Sequence, residues 1–322
     1  MRTPLWTPAL LVAFLVPVGL VATQGAADTK LVMLPVQGSV YMLAGTGANI
    51  TVQIGPQGVL LVDTPPPALV PNVLTEIRKL SDKPIQYIVN TSVDPDHVGG
   101  NEALAGKVPA RGPGGAPFPF GAANRPAIFA HENVFNAMST SRTGQPAAPE
   151  AAWPTTAYFV ASMDFNSNGE PVVISHQPAA HTDGDSIVFF RRSDVVSAGD
   201  VFTPDRYPVI DLDRGGRVEG IIAALNRILA ITVPENFQER GTYVIPGHGR
   251  LSDEADVVEY RDMVVIIRDR VQDLIKKKMT LEQVKAAKPS RDYDTEYGAA
   301  GADRFVEAVY RSLTDKKAGA AR

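Results

Sequence analysis

Asn90-Thr91-Ser92-Val93-Asp94-Pro95-Asp96-His97-Val98-Gly99-Gly100-Asn101 places two carboxylates, Asp94 and Asp96, beside the imidazole of His97. Residues 85–90 read as a buried-type strand, so the donors arrive at a strand end. Gly99 and Gly100 are expected to let the loop turn into a following helix. Divalent cations of the hard or borderline kind need several nitrogen and oxygen donors converging from different segments. Three later segments offer such donors: Ala180-His181-Thr182-Asp183-Gly184-Asp185, Ser197-Ala198-Gly199-Asp200-Val201-Phe202 and Ile245-Pro246-Gly247-His248-Gly249. Upstream, Gly58-Val59-Leu60-Leu61-Val62-Asp63-Thr64 is an apolar run closing on a carboxylate, Asp63.

The chain has 322 residues, 44% of them hydrophobic, enough for one large core or two small ones. A formal net charge of -4 gives no electrostatic reason to expect nucleic acid. Lys276-Lys277-Lys278 is a short cluster at a helix end, not a phosphate-binding stripe. There is no Cys, which excludes disulfides, thiolate ligands and a cysteine nucleophile. Residues 1–27 read as a secretory signal: Arg2 supplies charge, residues 9–22 are almost wholly apolar, and Gly25-Ala26-Ala27 offers small residues for cleavage before Asp28. The apolar run is short for a membrane span. An uncleaved N-terminal anchor is the alternative, and both place the mature domain outside the cytoplasm, in the periplasm or secreted.

Short β-rich runs at 31–35, 40–43, 49–54 and 59–63 are punctuated by Gly and Pro, as in a meander. Residues 71–80 carry Val73, Leu74, Ile77 and Leu80 at helical spacing. Residues 109–126, rich in Gly, Pro and Phe, read as an insertion or long loop. Order resumes at 127–138. Strands are expected at 158–162, 172–176, 186–190, 195–198 and 242–245. Helices are expected at 217–231, 254–278, 281–287 and 302–313. Strands followed by helices, twice, fit two β-layers covered by helices.

The order and spacing of the five motif segments resemble the metallo-β-lactamase-fold hydrolase superfamily, from about residue 40 to about residue 249. The resemblance implies an α/β architecture: an αββα sandwich of two mixed β-sheets flanked by helices. The domain would span 28–252, with 253–322 a C-terminal helical extension packed on it. In that family the loop motif is His-x-His-x-Asp-His. Its first two His, with a later His, hold one metal. The Asp and last His of the loop, a bridging Asp and a final His hold the second. Carried onto this chain, the second set is complete: Asp96, His97, Asp200 and His248. The first retains His181, with Asp200 able to bridge, but its other positions read Ser92 and Asp94.

Three readings stay open. Asp94 ligates through oxygen, with Ser92 a weak ligand or acting through water. Only the complete set is filled. Or the site has decayed, leaving a metal- or ligand-binding protein without turnover. Asp63 is expected to orient a ligand or the loop, not to ligate. A lone His is usually hydrogen-bonded or at the surface, and His176 is read so; His131 is a contact to the ligands or a substitute donor.

The resemblance implies a metal-dependent hydrolase with one or two divalent ions, zinc first, with Mn or Fe as alternatives. Water activated by the ion would attack, and Asp96 is the catalytic carboxylate that ligates and orients it. With no Cys, and Val98 after the loop His, two lactamase subclasses do not fit. A small-molecule ester, thioester or lactone is preferred over a β-lactam. Phe118, Phe120 and Trp153 form an apolar substrate wall or simply pack their loops. No nucleic-acid partner is expected, and no membrane contact beyond the possible N-terminal anchor.

Overall fold

The computed structural model describes residues 30–106, 125–140 and 148–315. The expected export signal at residues 1–27, nearly all of the Gly-, Pro- and Phe-rich loop, and Phe118 and Phe120 lie outside the described residues. Four antiparallel strands open the chain: β1 (Val32–Gln37), β2 (Val40–Ala44), β3 (Ile50–Ile54) and β4 (Val59–Val62). Helix α1 (Val70–Arg78) then crosses over to β5 (Ile85–Val89), parallel to β4. Two short helices follow, α2 (Pro95–Val98) and α3 (Asn101–Ala105). Strand β6 (Ala127–His131), helix α4 (Glu132–Ser139) and strand β7 (Thr156–Tyr158) complete a seven-stranded sheet in chain order.

The second sheet has five strands: β8 (Ser162–Ser167), β9 (Glu170–His176), β10 (Ser186–Phe190), β11 (Val195–Gly199) and β12 (Tyr243–Pro246). Its pairings are antiparallel except β11 with β12, reached through α5 (Val218–Leu229). Four helices close the chain: α6 (Glu254–Lys276), α7 (Leu281–Ala286), α8 (Asp294–Tyr297) and α9 (Ala299–Thr314).

The period-two alternation of strands explains the layers. Val40, Met42, Leu60, Val62 and Phe129 face the second sheet and meet Val172, Ile174, Val188, Phe190 and Ile245. The intervening Leu43, Val59 and Leu61 face outwards and pack under Val73 and Ile77 of α1. With both faces covered, residues 59–62 are apolar without interruption. The outer face of the second sheet, with Ile187, Val196, Ala198 and Val244, lies beneath Ile221 and Leu225 of α5, Tyr260 and Val264 of α6, and Phe305 and Val309 of α9. The layers are therefore helix, sheet, sheet, helix, as the resemblance implied.

One expected strand divides. The chain reads as a strand over 158–162, but Thr156–Tyr158 ends the first sheet and Ser162–Ser167 opens the second. β8 is an edge strand of polar and apolar residues in alternation, so it lacks a continuous apolar run. Its turn is written locally: Asn168 (φ 54°) and Gly169 (φ 74°) are both left-handed, as a two-residue hairpin of the Asn-Gly type requires.

Candidate metal centre

The loop after β5 is fixed by buried polar contacts before any ion is considered. Asn90 Nδ2 donates to His97 O at 2.9 Å, and Asn101 Nδ2 donates to Asn90 Oδ1 at 2.9 Å. Thr64 N, just past β4, also donates to His97 O at 2.9 Å. Pro95 occupies the first turn of α2, where a missing N–H has no consequence. Gly99 and Gly100 have ordinary helical φ of -60° and -83°. Space, not a turn, requires glycine there: a Cβ on Gly99 would sit 2.3 Å from Pro95 O, and one on Gly100 2.8 Å from Pro65 O.

Asp63 adopts φ 68°, a left-handed conformation that costs a non-glycine residue. Its carboxylate uses that geometry: it accepts from Thr91 N at 2.7 Å, from Thr91 Oγ1 at 2.6 Å and from His97 Nδ1 at 2.8 Å. A carboxylate can only accept, so Nδ1 of His97 carries a proton and Nε2 is the nitrogen left to face the centre.

Loops from both sheets converge there. Asp200 follows β11, and His248 follows β12. Asp200 Oδ2 lies 3.2 Å from His97 Nε2 and 3.7 Å from His181 Nε2, and Oδ1 lies 3.5 Å from His248 Nε2. His248 Nε2 is 3.3 Å from Asp96 Oδ2. Two adjacent clusters of converging donors result among the described residues: Asp96, His97 and His248, and Asp94, His181 and Asp200. Within the first, His97 Nε2 and, reaching in from Asp200, Oδ1 are buried with no hydrogen-bond partner. Buried polar atoms left without a partner are costly in an interior. A divalent cation fits this set of two imidazoles and two carboxylates.

The second cluster is satisfied differently. His181 Nδ1 donates to Val209 O at 2.9 Å, and its Nε2 lies 2.7 Å from Asp94 Oδ2. Asp94 Oδ1 is held by Arg214, whose Nε lies 3.5 Å from Asp211 Oδ2. Ser92 is fully buried, and its Oγ makes only a long contact, 3.5 Å, with Asp94 N. A cavity of about 340 Å³ opens on Asp94 and His181, walled by Ile210, Leu212 and Ala308.

Protonation follows from these contacts. Burial disfavours the charged form of His181, but the hydrogen bond to Asp94 and the charges of Asp185 and Asp200 outweigh it and push its pKa up to about 10. His97 is raised well above the ordinary imidazole range, Asp200 and Asp63 overcoming its burial. Burial would raise Asp200, yet His97, His181 and His248 draw it well below the carboxylate range. Asp96 is lowered first by its hydrogen bond with His248. For Asp94, the hydrogen bond to His181 and the charges of His181 and Arg214 overcome burial and lower it. A bound cation takes over the role of these protons, so binding releases them.

His131 belongs to neither cluster. Its Nδ1 accepts from Asn133 N at 3.3 Å and caps α4. Its ring stacks on His176 with centroids 3.5 Å apart and planes 8° from parallel. His176 Nε2 donates to Asp183 O at 2.8 Å. Two contributors had no signal in the sequence. Arg214 is one. Asn49 is the other: its Nδ2 donates to Pro246 O and Gly249 O, both at 3.0 Å, and its N donates to Gly247 O at 2.7 Å, so it straddles His248.

A two-sheet sandwich that gathers carboxylates and imidazoles from four loops at one end defines a metallo-hydrolase type of protein. The sequence profile of the metallo-beta-lactamase superfamily matches residues 43–250, and the chain belongs to that superfamily. No curated protein sequence matches it. Among solved structures it is similar to the stereoselective inverting sec-alkylsulfatase Pisa1 from Pseudomonas sp., with a TM-score of 0.64 at 17% identity, over 89% of this chain and 51% of that one. The chain thus spans about half the length of that sulfatase. It is also similar to a metallo-beta-lactamase from Pontibacter korlensis, with a TM-score of 0.52 at 14% identity, over 73% of this chain and 99% of that one. At such identities the likeness is one of fold.

Proposed function

We propose that this protein is an exported metal-dependent hydrolase acting on an ester, thioester, lactone or lactam-like bond of a small molecule. The observation that carries the reading is the pair of buried, unpartnered atoms, His97 Nε2 and Asp200 Oδ1, facing one another's cluster beside Asp96 and His248. Asp96, His97, Asp200 and His248 would hold the ion, with zinc suited to the mixed nitrogen and oxygen donors and Mn or Fe as alternatives. The ion, when bound, activates water at neutral pH and polarises the substrate oxygen. Asp96, with its side chain about a third exposed, orients the attacking water and accepts its proton. Asp63 keeps His97 in the tautomer that presents Nε2. Asn49 holds the His248 loop against the sheet. The cavity beside Asp94 and His181 receives the substrate. Export rests on Arg2 and the apolar residues that follow it.

The test is chelator-treated protein reloaded with zinc, manganese or iron and offered panels of aryl esters, thioesters, lactones and β-lactams. Sulfate esters join the panel because a structurally similar protein is an alkylsulfatase. Metal-restored turnover that Asp96→Asn abolishes supports the reading. Metal binding with no turnover on any panel would favour a binding protein on the same fold, and absence of metal binding would end both.

A further inference from the structure

We propose that the centre holds a single divalent ion, at Asp96, His97, Asp200 and His248, and that the guanidinium of Arg214 stands where a second ion would act. This rests on the metallo-hydrolase reading above and concerns the Asp94 side of that site.

The two clusters differ in what they lack. His97 Nε2 and Asp200 Oδ1 have no partner, so the first cluster is short of a cation. The second already has one. Asp94 Oδ1 is bonded to Arg214, and Asp94 Oδ2 lies 2.7 Å from His181 Nε2. The other nitrogen of His181 donates to Val209 O. Each donor atom that Asp94 and His181 could offer an ion therefore already has a partner, and Arg214 supplies the positive charge.

The arginine is built into place. Its backbone N donates to Asp211 Oδ1 at 2.9 Å, and its backbone O accepts from Asp183 N at 2.9 Å. Asp183 lies two residues after His181, so Arg214 and the His181 loop are tied together. A guanidinium stays charged throughout the accessible pH range. A dication among Asp94, His181 and Asp200 would face that fixed charge across one carboxylate. It would also lack a second strong donor from the loop beside Asp94, because Ser92 offers only a buried, neutral hydroxyl. Replacement of an imidazole by Asp94 thus makes sense as half of an ion pair: a neutral ring could not have held Arg214. The remaining N–H donors of the guanidinium suit an anionic substrate oxygen, the group a second ion would otherwise bind.

The test is metal stoichiometry of chelator-stripped protein titrated with Zn²⁺, read by calorimetry and by elemental mass spectrometry after dialysis. Wild type should bind one equivalent, and His248→Ala should lose it. Arg214→Gln frees Asp94 Oδ1 and should bind two, whereas Arg214→Lys keeps the charge and should stay at one. Asp94→His releases the arginine and restores an imidazole, and should also gain a second equivalent. Retention of the first equivalent shows that each Arg214 and Asp94 variant is folded. Two equivalents in wild type would overturn the Arg214 assignment and leave the hydrolase reading standing. One equivalent in both Arg214→Gln and Asp94→His would also overturn it. No zinc bound by wild type would overturn the hydrolase reading itself.

Discussion

Acidification from about pH 7.5 to about pH 4.5 should cost the fold about 2 kcal/mol through His131 alone. Burial, and then the charge of the His176 ring stacked on it, lower the pKa of His131 from 6.5 to about 4. The unfolded chain takes up this proton near the ordinary value, the folded chain only near 4. Between those limits the unfolded state carries more protons, so stability falls as pH falls. The contribution is complete above about pH 6.5 and has been lost once the pH is below the folded value, at about 1.4 kcal/mol per pH interval of one between the two values. His176 is also lowered by burial, although its hydrogen bond to Asp183 and the charges of Asp183 and Glu132 work the other way. The clean perturbation is His131→Asn. Asparagine removes the titrating ring but keeps an acceptor for Asn133 N at the start of α4, where it is a favoured cap. Guanidinium unfolding of chelator-treated wild type and variant, followed by circular dichroism at both pH values, gives the comparison. The carboxylates and imidazoles of the centre titrate in both proteins, so their effect cancels. The variant should lose about 2 kcal/mol less than wild type on acidification. Equal losses would refute the assignment of acid sensitivity to the stacked pair.

Three further outcomes test how the site is supported. Asp63→Asn leaves one acceptor oxygen where Thr91 N, Thr91 Oγ1 and His97 Nδ1 use two, and sets an NH2 against a donor; zinc affinity measured by chelator competition should fall roughly 10–100-fold, unchanged affinity counting against an orienting role. Gly247→Ala would place a Cβ 2.5 Å from Asp200 Oδ1 and 2.7 Å from Gly199 O. It should abolish metal binding while far-ultraviolet circular dichroism stays native; a variant that binds as wild type would show that Asp200 is not needed where it stands. Asn49→Leu deletes one buried and one part-buried hydrogen bond around His248 and should destabilise by about 1–3 kcal/mol while weakening zinc binding. Loss of stability with zinc affinity intact would confine Asn49 to a structural part.

Local pattern was enough for most of the sandwich, and the reasons are visible in particular elements. Residues 59–62 are apolar throughout because α1 covers one face and the second sheet the other. Val73 and Ile77 mark the buried stripe of α1 by their spacing alone. The failures have equally local causes. β7 and β8 merge into one expected strand because the crossing between sheets, Phe159 to Ala161, keeps an apolar character that looks continuous with Tyr158. Asn168-Gly169 is the signal that separates them, because it fixes the hairpin and therefore how far β8 runs back along the chain. The need for Gly99 and Gly100 is hidden for a different reason: the crowding that demands them comes partly from Pro65, more than thirty residues upstream, and no reading of the loop by itself contains that contact.

The same distinction governs the site. Every residue of the two clusters stood in a motif that the resemblance to the superfamily had picked out. How many ions those donors bind depends on which of them are already engaged, and that is decided by groups with no motif. Val209 contributes only a backbone carbonyl, which any residue could supply. Arg214 lies 120 residues beyond Asp94 in a loop of charged residues where nothing singles it out. Read along the chain, Asp94 is a ligand of altered type, or the trace of a lost one. Read in space, it is the anion between a fixed guanidinium and an imidazole, and a carboxylate is the side chain such a position needs. A substitution that looks like decay when ligands are counted can therefore be compensation when charges are counted, and the metal stoichiometry of Arg214→Gln separates the two.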